Sequence, residues 1–348
     1  MTLYMGVDFH PHQQTVCWCE IGTGEIKTLT LFHTSPALKE FYQTMPPSIV
    51  GIEASTNALW FEALLADTGH ELRVGNPALI RAKATSRHKS DKRDAELLFD
   101  LLTKQEFPTL WRRDRASSQV LDLLKLRLSF VTQRTQLYNR LQALGHSFGL
   151  PKAPMKTLAQ QTALKECPAN EAQDLHRTQL FTALDHLNER IRELDLWLQQ
   201  QATSNAQVQR LQTQVGVGVL TALAVVHGVG DITRFTHVSK QVPAFVGLEP
   251  LEKSSAAKIK FGGISKKGSW LVRYLLGQAG HLAARHDPSL KSFSKRLSKK
   301  KPKAVVKTAV ARKLVVKLAI MMRDEITAAQ FDQRGRTEGN ARQGQGLQ

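Results

Sequence analysis

The stretch Leu3-Tyr4-Met5-Gly6-Val7-Asp8-Phe9 decides how the N-terminal third of the chain is read. It is apolar enough for a buried β-strand, yet it carries one carboxylate near its end. A carboxylate inside an apolar strand is costly unless it is paired or binds a cation. Two more strand-like runs follow, 15–21 and 26–32, set apart by turn signals at His10-Pro11-His12 and Gly22-Thr23-Gly24. Beyond them the pattern predicts a helix over 37–45, closed by Pro46-Pro47, and a compact apolar strand over 49–54. A helix over 58–66, a strand over 71–75, a helix opening near Pro77 and a helix over 91–104 complete the segment. Three strands in a meander, then alternating helices and strands, indicate an α/β domain.

Within that domain four acids fall at telling places. Asp8 lies in the first strand, and Glu53 ends the fourth in Gly51-Ile52-Glu53-Ala54-Ser55. Asp91 and Asp94 stand at i and i+3 in Asp91-Lys92-Arg93-Asp94-Ala95-Glu96, on one face of a helix. An RNase H-like fold gathers acids at the end of its sheet in this order. Four clustered carboxylates repel one another, and two hard divalent cations such as Mg²⁺ neutralise them and clamp the oxygens of a phosphoryl transfer. Each acid also has a plainer reading. Asp91 and Asp94 sit among basic residues as a solvated face would, Asp8 suits a strand-end turn, and Glu53 suits a helix cap. Glu96 and Asp100 are rivals on the same helix, while His10 and His12 read as loop histidines outside the site. The Cys17-x-Cys19 pair reads as buried strand packing.

The remainder is organised differently. Leu184, Leu187, Ile191, Leu194 and Leu198 step by 3, 4, 3 and 4, a short heptad seam that predicts a coiled-coil helical arm over 113–205. The glycine-containing turn at 215–219 suggests a helix-hairpin-helix whose backbone N–H groups could receive a phosphate. A mainly helical region continues to 334, and the Gly-, Gln- and Arg-rich tail 335–348 has a disordered composition.

Charge separates these parts. The chain carries a formal +18, with a pI of about 10.0. Residues 251–348 hold 22 Lys and Arg against 6 Asp and Glu, a net of +16, whereas residues 1–250 hold 26 against 24, a net of +2. An excess so localised marks a polyanion-binding segment, and nucleic acid fits it better than a membrane surface. Inside it, Lys253-Ser254-Ser255-Ala256 is followed by Lys258, Lys260, Lys266, Lys267 and Arg273. A serine beside small residues and several cations can bring Oγ to a phosphodiester while the cations stabilise developing charge. The same residues also suit a simple phosphate-contact loop. Three cysteines without metal-ligand spacing and no signal-peptide pattern fit a reducing cytosol.

Taken together and in order, Gly6-Val7-Asp8, Gly51-Ile52-Glu53-Ala54, Asp91-Lys92-Arg93-Asp94-Ala95, the Val215-Gly216-Val217-Gly218 turn, Gly247-Leu248-Glu249-Pro250, Ser254-Ser255 and Ile264-Ser265-Lys266-Lys267-Gly268 with Arg273 carry a resemblance. The sequence resembles the IS one-ten family of insertion-sequence transposases, also called DEDD transposases, over roughly residues 3–330. The resemblance implies a RuvC-like domain over 1–112, a coiled-coil arm over 113–205 and a transposase domain over 206–334. It implies Asp8, Glu53, Asp91 and Asp94 as the Mg²⁺-holding catalytic acids. The serine nucleophile falls best on Ser255, with Ser254 the alternative, because this chain has Ser255-Ala256 where the family has Ser-Gly. Donor and target DNA, a noncoding guide RNA, a homo-oligomer up to a tetramer and a bacterial cytosolic location are further implications. A Holliday-junction-type nuclease, a protein-directed DNA invertase and a non-catalytic nucleic-acid-binding protein are the competing readings.

Overall fold

A computed structural model describes residues 3–54, 58–84, 90–252 and 261–334, which divide into two compact units at Arg112/Arg113.

The first unit is built on a five-stranded sheet in the order β3-β2-β1-β4-β5. The strands are β1 (Leu3–Phe9), β2 (Gln13–Cys19), β3 (Ile26–Phe32), β4 (Ser48–Glu53) and β5 (Glu71–Gly75). β1 runs antiparallel to β2 and parallel to β4, and β4 runs parallel to β5. The period-two alternation of a strand sorts β1 between two helical layers. Leu3, Met5 and Val7 point into a core with helices α1 (Pro36–Thr44) and α2 (Leu59–Asp67), through Leu38, Tyr42, Phe61 and Leu65. The opposite face meets α4 (Asp91–Thr103), where Tyr4 and Cys17 pack with Ala95 and Phe99. Gly6 belongs to this second face. A Cβ there would lie 2.2 Å from Ala95 O and 2.3 Å from Phe99 N, so only glycine lets α4 come down onto the strand.

Local chemistry explains where these helices begin. Ser35 accepts a hydrogen bond from Ala37 N ahead of Pro36, and Asn76 caps α3 (Pro77–Lys83) from Ala78 N. Ser90 accepts from Arg93 N and opens α4. The observed β2 begins two residues before the predicted 15–21 and ends two before it. Gln14 is polar but fully buried, its amide donating to Tyr42 Oη at 2.6 Å, so a polar residue ahead of the expected run belongs to the strand.

The second unit is mostly helical. Its two longest helices, α5 (Arg115–Ser147) and α7 (Glu171–Thr203), form an antiparallel hairpin with α6 (Leu158–Glu166) between them. Arg127 pairs with Asp195 and Arg134 with Asn188, so the contacts advance seven residues along one helix as they retreat seven along the other. Leu184, Ile191 and Leu198 are buried along this seam. The outer part packs Leu141 with Leu180, Phe181 and Leu184. At the base, Val120, Leu121, Leu124, Leu198 and Ala202 join the core of the C-terminal helices, so hairpin and C-terminal region share one core.

That core is formed by α8 (Ala206–Gln212), α9 (Val219–Val229), α10 (Val238–Phe245), α11 (Trp270–His286), α12 (Pro288–Ser298) and α13 (Lys303–Asp324). In the turn between α8 and α9, one of the backbone N–H groups expected to receive a phosphate already has a partner. Gly216 has φ +89°, and a Cβ there would meet Ala279 O at 2.7 Å, so its close approach is to α11. Val217 N already donates to Gln214 O. Between α10 and α11 a short antiparallel pair, β6 (Pro250–Glu252) and β7 (Phe261–Ile264), brackets residues 253–260. Among the described residues no helix is long and apolar enough to cross a membrane.

Candidate active site

Parallel pairing of β1 with β4 aligns Val7 with Ile52, so Asp8 and Glu53 each follow by one residue on neighbouring strands. Asp8 shares the face of Gly6, under the start of α4. The close contact at Gly6 fixes the helix one turn beyond Asp91, which brings the acids of that first turn to the strand end. Electrostatics register the approach. Burial lifts the Asp8 carboxyl above its ordinary value of 3.8, His10 opposes the shift, and Asp94 and Asp91 add to it. Glu53 is half-exposed and accepts from Arg81 at 3.5 Å.

His10 is the residue that sequence reasoning placed outside the site. Its Nε2 lies 3.1 Å from Asp8 Oδ2 and 3.5 Å from Asp91 Oδ1. Gln13 Nε2 donates to the other oxygen of Asp91 at 3.3 Å. One ligand atom from each of Asp8, His10 and Asp91 falls within 4.8 Å of the others. The available signal was the hairpin itself: His10 N donates to Gln13 O, turning the chain back beside the end of β1. Glu96 and Asp100 instead form solvent-side pairs with Lys92 and Lys104 on their own helix.

The predicted serine Ser255, its neighbour Ser254, and Lys253, Lys258 and Lys260 all lie outside the described residues. The structure does describe what flanks them. Lys266 and Lys267 are exposed, and Lys266 adopts φ +55°. Arg273, expected as a phosphate contact, has partners within the protein. Its Nη1 donates to the main-chain carbonyls of Val246, Lys267 and Gly268 at 3.0, 2.6 and 3.0 Å. Gly247 and Gly268 make this junction possible, since a Cβ on either would sit about 2 Å from a backbone oxygen, Lys267 O or Phe245 O. Arg273 thereby ties the end of α10 to the chain leaving β7.

The DEDD transposase domain of IS110 matches residues 5–145, which contain all four acids. The family described as Transposase IS116/IS110/IS902 matches residues 208–295, which contain the β6–β7 pair and Arg273. Together these matches cover more than half of the chain. The chain belongs to the IS110 family of transposases. A probable family 20 transposase of Pseudomonas aeruginosa is 26% identical over 88% of this chain and 89% of its own length. The transposase for insertion sequence element IS1111A of Coxiella burnetii is 33% identical over 65% of this chain and 63% of its own. That for IS1328 of Yersinia enterocolitica is 28% identical over 70% and 73%. Membership makes the chain a transposase, an enzyme whose substrate is DNA. It also implies an RNase H-like fold for the first unit and the use of divalent metal. The residues present fit such an ion: Asp8 and Asp91 offer hard carboxylate oxygens within 4.8 Å, and the crowding felt by Asp8 is relieved by a cation.

Proposed function

We propose that this transposase exchanges DNA strands through a covalent phosphoserine intermediate, with Asp8, Glu53, Asp91 and Asp94 as a Mg²⁺ site and Ser255 as the nucleophile. The convergence of Asp8 and Asp91 at the end of β1, on the face opened by Gly6, carries this reading. Bound there, a divalent ion supplies Lewis-acid stabilisation of charge on phosphoryl oxygens. Ser255 Oγ gives up its proton and forms a bond to phosphorus as the bond to a deoxyribose oxygen breaks. That oxygen leaves as a hydroxyl, and the phosphodiester energy is kept in the protein link, so rejoining needs no ATP. Lys253, Lys258, Lys260, Lys266 and Lys267 grip flanking phosphates, whereas Arg273 positions the segment that carries the serine.

A noncoding guide RNA selects donor and target DNA. The seam of α5 and α7 acts as a coiled coil in a homo-oligomer, up to a tetramer, that joins acids of one subunit to the serine of another. Incubation with element-end DNA tests the acidic site. Strand cleavage should require the divalent ion and disappear in Asp8→Asn with the fold intact. Cleavage that survives that substitution contradicts the assignment, and hydrolysed ends without a protein adduct favour a Holliday-junction-type nuclease. Sequencing RNA bound to the purified protein tests guidance: a discrete species encoded beside the gene supports it, and its absence favours protein-directed recognition.

A further inference from the structure

We propose that His10 is a metal-binding residue of the acidic site, supplying an imidazole nitrogen beside Asp8 and Asp91 that tilts the site towards Mn²⁺ over Mg²⁺. This rests on the reading of the acids as a divalent-metal site, and goes beyond it by adding a ligand and an ion preference.

The geometry carries the inference. The Nε2 atom of His10 lies 3.1 Å from Asp8 Oδ2 and 3.5 Å from Asp91 Oδ1. Two ligand atoms at right angles on an octahedral ion, each about 2.1 Å from it, are about 3 Å apart. The observed separations are therefore those of neighbouring ligands, and small side-chain movements accommodate an ion between them. The surroundings aim each atom. The turn closed by His10 N and Gln13 O holds the ring back over the end of β1. Gln13 Nε2 occupies Asp91 Oδ2, which leaves Asp91 Oδ1 as the oxygen nearest His10. In the same way His10 meets Asp8 through Oδ2.

The donor set then determines which ion is favoured. Mg²⁺ binds oxygen and water and dehydrates reluctantly. An imidazole nitrogen suits first-row transition ions, and carboxylates suit Mn²⁺ as well as Mg²⁺. One nitrogen with two carboxylates favours Mn²⁺ at this position. The competing role for His10 is that of a hydrogen-bonding or protonated partner which merely neutralises the two acids.

Mn²⁺ added to the purified full-length protein separates these roles by electron spin-echo spectroscopy, which detects a coordinated nitrogen without any turnover. The expected result is ¹⁴N coupling in the wild type that is retained in His12→Gln and lost in His10→Gln. By calorimetry, His10→Gln should weaken Mn²⁺ binding about tenfold or more, and Mg²⁺ binding by a smaller factor. If Mn²⁺ binds, is lost in Asp8→Asn, and shows no nitrogen coupling, the carboxylate site stands and the role of His10 is overturned. If the wild type binds no Mn²⁺, the metal reading and this inference fall together.

Discussion

Gly6 and Ala95 touch backbone to backbone: a Cβ on the glycine would lie 2.2 Å from the alanine carbonyl oxygen. This contact sets the height of α4 above the sheet, and so the distance from Asp91 and Asp94 to Asp8. Gly6→Ala must therefore push the helix away or strain the strand. Overpacking of this kind costs about 3 kcal/mol. Urea unfolding should show the loss, and Mn²⁺ titration should show weaker binding even where the protein stays folded. Unchanged stability and metal affinity would contradict the role given to Gly6.

Arg273 and Lys267 are neighbours in space with different expected effects. Arg273 satisfies three main-chain carbonyls through one nitrogen, and Lys267 is exposed. Lys267→Ala should lower the slope of log affinity against log salt by about 1 for DNA binding, as the loss of one phosphate contact does. Arg273→Ala should leave that slope unchanged and cost about 1–2 kcal/mol of stability. The reverse pattern would return Arg273 to the phosphate-binding set.

The start of α5 is held by a half-buried histidine. His227 Nδ1 lies 2.9 Å from Ser117 Oγ, and Arg113 donates to the carbonyls of His227 and Gly228. Burial holds His227 below its ordinary value of 6.5, with Asp114 opposing and Arg113 reinforcing the shift. The unfolded chain then takes up a proton at pH values where the folded chain does not. Stability should fall as pH drops from 7 through 6.5 towards 5, and His227→Gln should flatten that slope. His33 is shifted the same way by burial, so a remnant should persist. The lowered carboxyl of Asp114 contributes only further down, as pH falls below 3.8. Equal slopes in wild type and variant from pH 7 to 5 would rule the histidine out.

Lys317 is buried within the helical core, 2.7 Å from Asp332 and 3.5 Å from Asp287, and Gln214 also donates to Asp287. Removing the lysine charge leaves Asp287 buried with a poorer set of partners. Lys317→Met should cost about 3 kcal/mol, and Lys317→Met with Asp287→Asn should cost less than the sum of the two single changes. Strict additivity in the unfolding midpoints would show that the pair is not coupled.

Most of the first unit was legible because its strands are bounded by turns and its buried residues alternate. Leu3–Phe9, Ile26–Phe32 and Glu71–Gly75 appear at the expected bounds. The start of β2 was hidden because Gln14 buries a polar amide against Tyr42, a tertiary pairing that local pattern does not carry. Asp8 and Asp91 come together as their order suggested. His10 was missed because its place depends on the width of one hairpin turn. Arg273 carries a further role that local pattern does not show: a cation in a basic segment reads as a phosphate ligand, and only the fold reveals the carbonyls its Nη1 meets.

The most direct test of the account is to trap the reaction on suicide DNA and resolve the products on a denaturing gel. The wild type should yield a protein–DNA adduct whose linked residue, mapped by mass spectrometry, is Ser255. Ser255→Ala should yield none, and Asp8→Asn should suppress the adduct with Ser255 intact. An adduct that persists in Ser255→Ala, or cleaved DNA free of protein in the wild type, would contradict it.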